Sequence, residues 1–110
     1  MKAMVLTWEY PPYITGGLGQ HVKELLPALR ALDPLLELHV VAPCFDQTAP
    51  SVAGDGPDVH WVHVPKPRAQ HFHEDVERAN RALATTAVSV AQEEGPFDLL
   101  HVHDWLTSWA

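Results

Sequence analysis

The chain has 110 residues, 46% of them hydrophobic, which suits one domain (residues 1–110) with its own core and no stapling disulfide. Its formal charge of -7 argues against a nucleic-acid or anionic-membrane surface, because phosphate-rich partners select clusters of Lys and Arg. Cys44 is the single cysteine, and the apolar run at residues 3–6 meets Glu9 too early for a signal peptide or a membrane span, so a soluble, cytoplasmic protein is expected.

Residues 1–7 form a short, nearly continuous apolar run, the pattern of a strand buried on both faces. Residues 8–15 read as a loop carrying Pro11 and Pro12. From Leu18 onward, Val22, Leu25, Leu26, Leu29 and Leu32 recur at steps of three and four, which predicts a helix with a kink at Pro27. A second apolar run, 36–42, ends at Pro43, and 43–58 reads as a loop. Residues 59–64 make a third, alternating strand, stopped by Pro65 and Pro67. Phe72, Val76, Ala79, Leu83, Ala87 and Val90 then mark a long helix closed by Gly95-Pro96. Residues 97–102 form a fourth strand, and Asp104 suits the N-cap of a further helix.

Strands joined by helices or long connections imply a parallel sheet with right-handed crossovers. The usual order for such an α/β, Rossmann-like unit is 3-2-1-4, which sets the first and fourth strands side by side. Ligands bind beyond the carboxyl ends of the strands where the order reverses, so the loops after Thr7 and Val102 should face a common crevice.

Those two loops hold the most distinctive residues. Gly16-Gly17-Leu18-Gly19 sits at the start of the first helix, where free N–H groups and the helix dipole favour an anion and glycine lets a ligand approach. The spacing matches neither the dinucleotide fingerprint nor a P-loop, and a plain tight turn is the competing reading. The second segment is His101-Val102-His103-Asp104-Trp105. His101 is expected to pack at the strand end while His103 opens into the crevice. Asp104 either caps a helix or touches a ligand, and no third ligand of suitable spacing supports a metal there. His60, His63, His71 and His73 are expected at the solvated surface, and Glu74, Asp75 and Glu77 complement the dipole of the second long helix.

Trp8-Glu9-Tyr10-Pro11-Pro12, then Gly16-Gly17-Leu18-Gly19-Gln20-His21-Val22, and finally His101 to Trp105, resemble segments of glycogen and starch synthases and related retaining glycosyltransferases. The resemblance runs the length of the chain in order. It implies the N-terminal half of a GT-B fold, two Rossmann-like domains facing a cleft, with the donor held mainly by the second domain. Gly16 and Gly17 would face the donor diphosphate, and His103 would contact the transferred sugar as the catalytic-site residue. Glu9, Leu18, Gln20, His21 and Asp104 would lie near sugar or acceptor. The implied substrates are a nucleotide sugar, such as UDP- or ADP-glucose, and a glycan or small-molecule acceptor, with retention of anomeric configuration and neither cofactor nor metal.

Two positions depart from the synthases. Ile14 stands where they carry a Lys, and Gln20 where they carry an Asp, which leans toward the broader group of related transferases. The second domain of such an enzyme lies outside these residues, so the chain is expected to show no transfer by itself. A non-catalytic phosphate- or sugar-binding module, or a scaffold remnant, is the alternative. The fourth strand is expected to present an open edge at Leu99, Leu100 and Val102, inviting a homodimer through that edge or through 105–110.

Overall fold

The computed structural model describes residues 1–10, 17–45 and 58–102, with backbone only at 17–19. Among these residues four parallel strands make one sheet: β1 (Lys2–Leu6), β2 (Glu37–Phe45), β3 (Asp58–Val64) and β4 (Leu99–Val102), in the order β3-β2-β1-β4. Helix α1 (Gly17–Leu32) joins β1 to β2, and α2 (Phe72–Glu94), entered through a 3-10 turn at Ala69–His71, joins β3 to β4. The order and the parallel sense are those the sequence implies.

Strand parity divides the core in two. Ala3, Val5, Leu38, Val40 and Ala42 meet Val22 and Leu26 of α1. The alternate residues Met4, Leu6, Val41, Val62 and Val64 meet Ala79, Leu83 and Val90 of α2. Each inner strand is therefore covered on both sides, which is why its sequence is a run of apolar residues and not an alternation. At the N-terminal ends of β1 and β4, the Asp98 N–H donates to the Lys2 carbonyl (2.8 Å), and the Lys2 N–H donates to the Asp98 carboxylate (2.9 Å).

Several expectations need correcting. Strand β2 does not stop at Pro43 but runs on to Phe45. In a parallel ladder, N–H groups of alternate residues point to the same neighbour, and the Val41 carbonyl, which accepts from the Thr7 N–H at 3.1 Å, faces β1. Pro43 has the same parity, so its missing donor faces Thr7, one residue past the end of β1, and the rungs within β1 are untouched. Strand β4 begins at Leu99, not Phe97, because Phe97 turns its ring into the α2-side core. His101 is exposed and not buried at the strand end, since among the described residues β4 pairs with β1 alone and all four of its residues are exposed. Leu32, assigned to the apolar face of α1, is 84% exposed at the helix end.

Candidate functional site

The register Leu6↔Val102 brings β1 and β4 to the same level at their carboxyl ends, so the chain leaves the sheet from adjacent strands at the point where strand order reverses. Thr7 is fully buried there, and its hydroxyl donates to the Glu9 carbonyl at 2.9 Å, bending the exit of β1. The next aromatic residues anchor the exit from both faces. Trp8 lies 4.9 Å from Phe45 between ring centroids, and Tyr10 meets Trp61 edge-on at 6.1 Å. Burial pushes the Tyr10 phenol above its ordinary value, so the ring stays neutral.

The chain is next described at Gly17, the first residue of α1. The first turn of α1 contains no acidic residue, so the positive end of its dipole is not offset from within that turn. Of the other residues drawn to this edge by sequence, Glu9 is half-buried, while Gln20 and His21 are exposed on α1. The Gln20 amide donates to Glu24 at 3.0 Å. Gly16, His103 and Asp104 lie outside the described residues, as does the side chain of Leu18. The described residues thus set the carboxyl ends of β1 and β4 side by side, with α1 following the exit of β1.

At the opposite, amino-terminal edge lies a polar cluster that the sequence reading missed. His39 is 1% exposed, with Nδ1 3.0 Å from His60 Nε2 and Nε2 3.0 Å from Glu37 Oε1. The His39 contact holds the Glu37 carboxyl below its usual range, and burial followed by repulsion from His39 lowers His60. His60 is therefore not the solvated surface residue expected. The available signal was parity, since Glu37 and His39 alternate within an otherwise apolar strand and must share a face.

Residues 16–110 match the family described as "Glycosyl transferase 4-like domain". The chain belongs to that family. It is 31% identical to the alpha-maltose-1-phosphate synthase of Mycobacterium tuberculosis over 114 residues, covering 100% of this chain and 24% of the relative. It is 29% identical to the glycogen synthase of the same organism, covering 98% of this chain and 29% of that relative. An uncharacterized glycosyltransferase of Methanocaldococcus jannaschii is 29% identical, with 97% and 26% covered. The chain thus spans about a quarter of the length of these relatives. Its α/β, Rossmann-like sheet is the architecture of one half of a GT-B glycosyltransferase. Among the described residues, no helix is long and apolar enough to cross a membrane.

Proposed function

We propose that residues 1–110 form the acceptor-side, N-terminal domain of a retaining glycosyltransferase that moves a sugar from a nucleotide-sugar donor to a glycan or small-molecule acceptor in the cytoplasm. The observation that carries this reading is the level ending of β1 and β4 beside the start of α1 in a chain of this family. An anion at the start of α1 meets free backbone N–H groups and a positive dipole end. Gly16 and Gly17 would admit the donor diphosphate there, and His103, directly after β4, would meet the transferred sugar. Glu9, Leu18, Gln20, His21 and Asp104 are assigned to the rim of the same crevice.

In the proposed reaction, the bond between the anomeric carbon and the departing phosphate oxygen breaks. The acceptor oxygen bonds on the same face, and its proton passes to that phosphate oxygen. Oriented N–H donors act most strongly where this charge develops. The name of the glycogen synthase relative favours a glucan-type acceptor.

Titration of the purified chain with UDP-glucose, ADP-glucose and a maltooligosaccharide tests the reading. Binding of a nucleotide sugar with a dissociation constant on the order of millimolar, without turnover, is expected of one lip of a cleft. Absence of binding at that concentration would contradict a donor-facing role and leave a scaffold. Turnover by these residues alone would contradict their assignment as half of a catalytic unit.

A further inference from the structure

We propose that Glu37, His39 and Glu94 form a site for a divalent first-row transition cation, Zn2+ being the best fit, at the amino-terminal edge of the sheet. This site is independent of the transfer reading and lies at the other end of the strands.

Three features of the fold converge here. Parity on β2 puts Glu37 and His39 on the face that α2 covers. Helix α2 crosses that face and delivers its last residue, Glu94, to the same edge. One ligand atom from each of Glu37, His39 and Glu94 lies within 4.8 Å of the others. His39 is fixed while the carboxylates are free to adjust. Its ring lies nearly parallel to that of His60, 15° apart with centroids at 5.3 Å, and meets Phe97 edge-on at 5.2 Å.

The two nitrogens of His39 have different surroundings. Nδ1 faces His60 Nε2 at 3.0 Å, whereas Nε2 faces Glu37 Oε1 at 3.0 Å and Asp58 Oδ2 at 3.9 Å. With its proton on Nε2 the ring donates to Glu37; with the proton on Nδ1, donated to His60, the Nε2 lone pair is available to a cation that takes the place of that hydrogen bond. A ring nitrogen held by a neighbour while the other faces outward is how metal-binding histidines are oriented.

One imidazole with carboxylates is a set that suits zinc and its neighbours. Tetrahedral bonds of about 2.0–2.2 Å place ligand atoms about 3.3 Å apart, so Glu37 Oε1, already 3.0 Å from Nε2, draws back slightly and Glu94 is the carboxylate that turns toward the fixed ring. The Glu37 side chain is 51% exposed and Glu94 is exposed, so both have the freedom to adjust. Asp58, with a side chain 72% exposed, is placed to supply a fourth ligand in competition with water.

The test uses the full chain, stripped with chelator and titrated with Co2+ as a spectroscopic probe, then with Zn2+. One equivalent of Co2+ should give visible bands of low-symmetry coordination, abolished by Zn2+. Glu94→Gln should weaken binding at least about tenfold, the loss that removing even an outer partner of a ligand can cause. A double His71→Asn, His73→Asn variant should bind unchanged. His39→Asn should abolish binding, but the residue is buried, so Glu94→Gln at an exposed helix end is the deciding variant if the former unfolds. A Co2+ spectrum that stays that of the hydrated ion would overturn the proposal. So would binding indifferent to Glu94→Gln, or binding lost with His71 and His73.

Discussion

Asp75, in the first turn of α2, accepts from the Arg68 backbone N–H at 2.9 Å, from Arg68 Nε and Nη2 at 2.9 and 3.2 Å, and from Arg78 at 3.4 Å. This fork ties the segment before the helix to its first turn, a role beyond the dipole complement that its sequence position suggests. The Arg68 contacts hold the Asp75 carboxyl well below the usual carboxylate range. A carboxyl depressed on folding contributes stability that is present above its unfolded pKa of about 3.9 and fades as pH falls through the folded value. Asp75→Asn should therefore lower the urea midpoint at pH 7, and the gap to the parent chain should narrow at pH 3. An equal gap at both pH values would contradict this account. Gly95 ends α2 for reasons of space. Its φ is -70°, an ordinary value, but an added Cβ would lie 2.1 Å from the Ala91 carbonyl oxygen, to which the Gly95 N–H already donates at 2.9 Å. Gly95→Ala should cost about 1–3 kcal/mol in chemical denaturation, the range for forced overpacking.

Among the elements, the helices divide sharply into packed and idle positions. Leu83 is fully buried between α2 and the sheet, so Leu83→Ala should destabilise by about 2–5 kcal/mol. Leu32, equally apolar but 84% exposed, should tolerate Ala to within about 0.5 kcal/mol, as read by denaturant midpoints. Periodicity alone did not separate these two, because a step of three or four residues says which face a residue takes but not whether the sheet extends beneath it. The same limit applied to the strands. Apolar runs made β1 and β2 legible, whereas the end of β2 depended on which neighbour Pro43 faces, a fact of register. On the outer strand, Leu99 and Leu100 are 49% and 57% exposed, and Leu100 also lines an apolar groove with Met4, Leu6, Ala87 and Val88. We propose that the 110 residues studied alone pair through this edge with a second copy. Light scattering should then give a dimer mass that Leu100→Lys shifts toward monomer, and a strictly monomeric parent chain would refute the pairing.

For the molecule as a whole, the parallel sheet gives its two edges different chemistry. The carboxyl edge gathers the exits of β1 and β4 beside the start of α1, while the amino edge gathers Glu37, His39, Asp58 and Glu94. Strand order and the family were legible from sequence because apolar runs and two separated motifs survive without knowledge of contacts. The amino-edge cluster was not, since parity links only Glu37 and His39, while Asp58 and Glu94 join them from β3 and α2 through tertiary contact. The central claim concerns the carboxyl edge, and backbone amide NMR during titration with ADP-glucose and UDP-glucose tests it most directly. The account predicts saturable shifts at Gly16, Gly17, Leu18 and the residues next to Val102, with Lys2, Glu37 and Asp58 unmoved. Shifts confined to that opposite edge, or none at millimolar donor, would contradict it.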